Sequence, residues 1–279
     1  MFLPDLLRGK RILVTGGGTG LGRSVGARYA ELGAELVICG RREEVLRTTA
    51  AEIGAETGRP VSWHVCDVRD PAAIEAMMDR IWQDGPLDAL MNNAAGNFIA
   101  RTETLSARAF DAVLGIVLHG TAYCTLAAGR RWIEAGRPGT ILSVVTTAAF
   151  TGGPYTAPSA AAKAGVLALM RSLAVEWGPK RIRTAAVAPG LFPTPGAWER
   201  LYPAGARPEP QENGVPLRRM GEHLEMANLC AYLMSDQASY ITGECVVIDG
   251  GRWMQGVGGN IARTLETWSD TEWERFRKG

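Results

Sequence analysis

Between the chain's first apolar run, Arg11–Thr15, and an amphipathic stretch opening near Leu21 stands Gly16-Gly17-Gly18-Thr19-Gly20-Leu21-Gly22. A glycine turn joining a buried strand to a helix is the opening of a βαβ unit. Glycine permits the tight turn, lets backbone approach a phosphate closely, and leaves the free N–H groups of the helix facing an anion. The spacing is G-x-x-x-G-x-G rather than G-x-G-x-x-G, but the physics is shared. At this junction it predicts a site for the pyrophosphate of a dinucleotide, with Gly16, Gly18, Thr19, Gly20 and Leu21 around it.

The rest of the chain repeats the alternation. Short apolar runs at Arg11–Thr15, Glu35–Cys39, Val61–Val65, Asp88–Asn92, Thr140–Val145, Ile182–Ala188 and Cys245–Ile248 read as strands. Helical patterns lie between them near Leu21–Leu32, Glu43–Thr57, Ala72–Asp84, Ala107–Ala135, Pro158–Trp177 and His223–Met234. Right-handed crossovers then give one α/β domain, doubly wound and Rossmann-type, with a seven-stranded parallel sheet covered by helices on both faces. The stretch Pro189–Pro216 is rich in Pro and Gly and follows a strand's carboxyl end, which predicts a substrate lid. After Trp253 come several glycines and an amphipathic Ile261–Arg277 segment, a C-terminal extension suited to packing on a neighbouring subunit.

Lys plus Arg number 30 against 29 Asp plus Glu, so no net field recruits nucleic acid or an anionic membrane. The five cysteines form no metal-ligand pair and no disulfide framework; reduced thiols in a cytoplasmic setting and no bound metal are expected. The N-terminus lacks a basic region and a small-residue cleavage site, and no run approaches the ~18 apolar residues of a membrane span.

The second strand ends in Gly40-Arg41-Arg42, with no carboxylate where a ribose 2′-hydroxyl would be held. Guanidinium binds phosphate bidentately, so Arg41 and Arg42 favour NADP(H) over NAD(H). Asp67, after the third strand, stands where a carboxylate accepts from the adenine amine; a helix N-terminal acid is the simpler alternative.

Together with Asn92-Asn93-Ala94-Ala95-Gly96, Lys163, Pro189-Gly190 and Asp249-Gly250-Gly251, the glycine motif resembles the short-chain dehydrogenase/reductase family over nearly the whole chain. Asn97-Phe98-Ile99, Pro158-Ser159-Ala160-Ala161-Ala162-Lys163 and Gly196-Ala197-Trp198-Glu199-Arg200-Leu201 resemble its 2,4-dienoyl-CoA reductase branch. The resemblance implies NADPH as cofactor, an acyl-CoA as substrate and a homotetramer. It places Asn93, Lys163, Pro189, Gly190 and Phe192 at the cofactor, with Lys163 on the nicotinamide ribose. Asn97 would donate to the thioester oxygen, and Ser159, one helical turn from Lys163, would support it. Arg69, Phe98, Ser106 and Arg200 would contact substrate, Arg69 near the CoA phosphates. In that chemistry a hydride adds at the δ-carbon of a 2,4-dienoyl thioester. Charge develops on the thioester oxygen, and a proton returns at carbon two or four.

One departure matters. The branch carries a tyrosine fifteen residues before the lysine, and here that residue is Ala148. Tyr155, on the same loop, is the nearest phenol and stands as a substitute acid; His119 occupies a position where the branch often has an amide. Three readings stay open: an active dienoyl- or enoyl-thioester reductase, a reductase of another carbonyl or thioester with room made by Ala148, and a non-catalytic dinucleotide-binding protein.

Overall fold

The computed structural model describes residues 3–194, 211–255 and 265–277. Seven strands form one sheet: β1 (Arg11–Thr15), β2 (Glu35–Gly40), β3 (Ser62–Val65), β4 (Ala89–Asn92), β5 (Gly139–Val144), β6 (Ile182–Pro189) and β7 (Cys245–Ile248). The spatial order is β3-β2-β1-β4-β5-β6-β7, and every neighbouring pair is parallel. Parallel strands need crossovers, and the helices supply them: α1 (Gly20–Glu31), α2 (Glu43–Thr57), α3 (Pro71–Asp84), α4 (Ala107–Leu114), α5 (Gly120–Glu134), α6 (Ala148–Thr151), α7 (Ala157–Trp177) and α8 (His223–Met234).

Because side chains alternate along a strand, the strands inside the edge strand β3 feed two cores. Leu13, Val37, Leu90 and Ile141 face Ile74 and Met78 of α3, Trp132 of α5 and Met170 of α7. Ile12, Val14, Leu36 and Ile38 face Val25 and Tyr29 of α1, Ile53 of α2 and Met226 of α8. Both faces are therefore dry, as a wholly parallel sheet requires. All five cysteines are buried and none is in a disulfide.

The chain runs outward from β1 through β2 to β3 and then returns to lay β4 on the other side of β1. At that reversal the loops after β1 and β4 diverge, and open α/β sheets bind ligands in the resulting crevice.

Two features depart from the expected elements. The helix expected over Ala107–Ala135 is continuous from Ala107 to Glu134 but contains a π turn, Gly115–His119. There Leu118 packs over Gly165 of α7, and Gly120 sits so close to Val68 that a Cβ would lie 2.7 Å from its side chain. By length and composition this helix is apolar enough to cross a membrane, contrary to the expectation from unbroken apolar runs; half of its apolar window is buried in the fold, as in a core helix. The second departure is α6, a single turn placed immediately before α7. Of the expected lid, β6 reaches Pro189 and a 3₁₀ turn occupies Gln211–Gly214, while residues 195–210, Arg200 among them, lie outside the described residues. Of the expected C-terminal segment, α9 (Asp270–Arg277) is described, with Ser269 and Glu272 exchanging hydrogen bonds at its start.

Candidate functional site

The crevice is built around Thr15, the buried last residue of β1. Its hydroxyl accepts from the backbone N–H of Asn93 (3.0 Å) and of Ala94 (3.1 Å), fastening the loop after β4 to the end of β1. The Asn93 side chain donates to the carbonyls of Thr15 (3.1 Å) and Gly16 (3.2 Å). Asn93 thus clamps the glycine turn rather than lying free in the crevice.

The turn has no room for side chains. A Cβ on Gly22 would lie 2.4 Å from both the Asn93 amide nitrogen and the Gly16 carbonyl oxygen, and one on Gly17 would lie 2.6 Å from Ile38. Gly20 has φ +55, a left-handed conformation that costs other residues roughly 1 kcal/mol. Thr49 donates to the Gly18 carbonyl at 2.8 Å and fixes the outer curve. The Thr19 side chain makes no cap to α1, so the first N–H groups of that helix keep their capacity for an anion. This cradle fits a dinucleotide pyrophosphate.

At the strand ends beside it, Arg41 and Arg42 are exposed and form no ion pair among the described residues, whereas neighbouring Glu44 is taken by Arg47. Asp67 is gripped by Arg69 through Nε (3.0 Å), Nη2 (2.5 Å) and backbone N–H (3.0 Å). These bonds, with help from Arg41, hold its carboxyl below the usual carboxylate range. Arg69 therefore reaches Asp67, its stem passing over Gly115.

Asn97 sits on the loop after β4, and this loop is tied down at three points. Phe98 packs against Val113 and Val117 of the long helix and Ala162 of α7. Gly96 lies against Ile116, and the Ala100 N–H donates to the Tyr155 carbonyl at 3.0 Å. The Asn97 side-chain oxygen accepts from the Phe98 N–H at 2.9 Å, so the amide N–H groups are the ones left to donate outward. Phe98 is thus chiefly an anchor for Asn97. Ser106 caps α4, accepting from the Ala109 N–H at 3.2 Å, a role worth about 1 kcal/mol that explains a serine there without any ligand.

Lys163 is buried on α7, and its Nζ donates to the Val144 carbonyl at 2.5 Å at the end of β5. Burial pushes its ammonium down to about 8. Ser159 lies one turn earlier on the same helix, also buried. Ala148 opens α6, and its Cβ is 3.3 Å from where a Cβ on Gly153 would stand. Tyr155 adopts φ +60 and is 60% exposed, so what it contributes to the packing is its carbonyl. His119 is exposed, its ring tilted against Tyr123 at 6.0 Å between centroids.

Beyond β6, Gly190 donates to the Ile248 carbonyl at 2.9 Å and lies so close to Asp249 that a Cβ would be 2.5 Å away. Phe192 lays its ring over Gly221. Thr194 returns to the glycine turn, its methyl group 3.3 Å from where a Cβ on Gly20 would stand. Thr194, Gly17 and Gly22 belong to the site although sequence reasoning did not select them. For the two glycines the motif was itself the signal; the Thr194 contact joins distant parts of the chain and leaves no local mark. Among the described residues no group of three or more His, Cys, Asp or Glu side chains is arranged to hold a metal ion.

Residues 16–252 match the family model described as Enoyl-(Acyl carrier protein) reductase. A Bacillus subtilis protein named as a probable 2,4-dienoyl-CoA reductase, (2E)-enoyl-CoA-producing, is 44% identical, covering 88% of this chain and 97% of its own length. A mouse protein named peroxisomal 2,4-dienoyl-CoA reductase, (3E)-enoyl-CoA-producing, is 34% identical over 95% of this chain and 91% of its own. Among solved structures, a short chain dehydrogenase from Bacillus anthracis superposes with a TM-score of 0.79 at 42% identity, covering 87% of this chain and 96% of the other.

Proposed function

Since the chain belongs to the short-chain dehydrogenase/reductase family, oxidoreductases that use a nicotinamide dinucleotide, we propose that it is an NADPH-dependent reductase of 2,4-dienoyl-CoA thioesters. The observation that carries this reading is the seat of Asn97. Its amide oxygen is occupied within the loop, its N–H groups remain available, and Phe98 fastens the loop to the helix that carries Lys163. A donor held in that way suits an oxygen that gains charge during reaction, as a thioester oxygen does. Ser159, standing one turn before Lys163, offers no phenol to protonate an alkoxide, which weighs against a simple ketone reductase.

When bound, NADPH supplies the hydride. The chain's residues do the rest. The N–H groups opening α1 hold the pyrophosphate, Arg41 and Arg42 the 2′-phosphate, and Lys163 the nicotinamide ribose through Nζ. Asn97 donates to the thioester oxygen. With Ala148 adding no second donor there, the proton returned to carbon two or four comes from water or from Tyr155. The same reading takes the chain as a homotetramer, and exposed Leu126 on α5 and Val175 on α7 are apolar groups suited to such contacts.

The test is consumption of NADPH by the full chain with a 2,4-dienoyl-CoA, run beside a panel of ketones. Turnover of the dienoyl thioester is expected, slowed about 10²-fold by the single donor; turnover of ketones alone would sink the proposal. The cofactor assignment is tested separately. Arg41→Ala is expected to weaken NADPH binding about tenfold, the loss of one charge-assisted contact, and to leave NADH binding unchanged. Equal losses for both dinucleotides would count against a 2′-phosphate contact.

A further inference from the structure

His223, the first residue of α8, joins two parts of the cofactor cradle that are far apart in sequence. Its Nε2 lies 2.7 Å from the Pro193 carbonyl oxygen, and its Nδ1 lies 2.8 Å from the Ser24 hydroxyl. A carbonyl only accepts, so Nε2 carries the hydrogen, and Nδ1 pairs with the Ser24 hydroxyl. Ser24 stands one turn into α1, its hydroxyl also 3.2 Å from the Gly20 carbonyl. Pro193 precedes Thr194, whose methyl group rests on Gly20. The imidazole is thus a strut between the helix that faces the pyrophosphate and the segment lying across the glycine turn.

The strut has a rigid mounting. Glu222 and Glu225 form a capping box around the start of α8, and Arg219 grips Glu225 with contacts of 2.7 and 2.6 Å. Further along, Arg28 of α1 donates to Asn228 of α8 at 2.8 Å. The α1–α8 spacing is therefore set without His223, and the ring's particular effect falls on where Pro193 and Thr194 sit.

We propose that His223 is a positioning residue for the dinucleotide: it holds the Pro193–Thr194 segment against Gly20–Ser24, so that this end of the cradle is formed before the cofactor arrives. Pre-formation raises affinity by removing an ordering cost from the binding step. The proposal rests on the nicotinamide-dinucleotide reading of the glycine turn and is independent of which acyl group is reduced.

The experiment is calorimetric titration of the full chain with NADPH and, separately, NADH, for the parent and for His223→Ala, His223→Gln and Ser24→Ala. His223→Ala is expected to weaken both dinucleotides by about tenfold. His223→Gln, whose amide N–H reaches the same carbonyl, should recover most of that loss, a rescue that general damage to the fold would not allow. Ser24→Ala should lose about threefold and add little when combined with His223→Ala, because the two act through one bond. Parent-like affinity in His223→Ala, or His223→Gln as weak as His223→Ala, overturns the proposal. A parent that binds neither dinucleotide overturns the cofactor reading itself, and the inference with it.

Discussion

Ala148→Tyr is expected to raise turnover of a 2,4-dienoyl-CoA by about 10²- to 10³-fold, the usual worth of one oxyanion donor, while NADPH affinity stays within about twofold. The position is suited to the change. Ala148 is the first residue of α6, half-buried, and it faces Gly153, which presents no side chain beside it. The far end of the turn is steadied by Phe150, whose ring lies 5.2 Å from that of Trp253. A phenol added at this position extends from a fixed base and shares the thioester oxygen with Asn97. Single-turnover measurements with saturating NADPH would separate the chemical step from product release. No gain, or a loss, would mean that the space beside Ala148 belongs to the substrate, which favours a bulkier carbonyl or thioester over the proposed one.

Lys163→Met is expected to lower turnover by about 10³-fold and, at the same time, to stabilise the cofactor-free protein. The two effects have one origin. At pH 7 the Lys163 ammonium is charged and buried, and its value in the folded chain, about 8, lies below the ordinary 10.5. The folded state thus holds this proton less well than the unfolded chain does. The destabilisation is fully present below pH 8 and is relieved as pH rises from about 8 towards 10.5. At about 1.4 kcal/mol per pH unit it amounts to about 3 kcal/mol, less about 1 kcal/mol for the bond to Val144. A net gain of about 2 kcal/mol at pH 7 should appear as a higher denaturant midpoint in Lys163→Met. The parent's stability should also climb through the pH window named above, and the variant's should stay flat there. A variant less stable than its parent at neutral pH would show that burial of the charge is well compensated.

What the sequence made legible follows the range over which each signal acts. Elements long enough to complete their own period, such as α2 at Glu43–Thr57 and β7 at Cys245–Ile248, were expected with the bounds they have. The π turn at Gly115–His119 was not, since one wider turn barely disturbs a helical pattern around it. Nor was α6, whose four residues are too few to establish a period. In the site, the glycine turn was legible because its chemistry is local, a run of missing side chains between a strand and a helix, whereas Lys163 was reached only through the family resemblance. Ser106 and Arg69, implied as substrate contacts by the resemblance, also have partners within the chain: Ser106 caps α4 and Arg69 grips Asp67. Both partners are local, two and three residues away; long-range partners are the ones only the folded chain reveals. Thr194 and His223 are of that kind, with partners that come from the other end of the chain.

The clamp between Thr15 and the Asn93–Ala94 loop makes the crevice a long-range product of the fold. The two halves of the clamp lie 78 residues apart in the chain, with β2 and β3 between them, and only the paired β1 and β4 bring them together. An unfolded chain lacks that pairing and so lacks the crevice. Binding is then linked to the native state by mass action, about 2.7 kcal/mol at a ligand concentration a hundred times Kd. A nicotinamide dinucleotide bound there would thus add to the stability of the native chain. The chain's resistance to proteolysis is then expected to rise with the concentration of dinucleotide, with no change in a single contact.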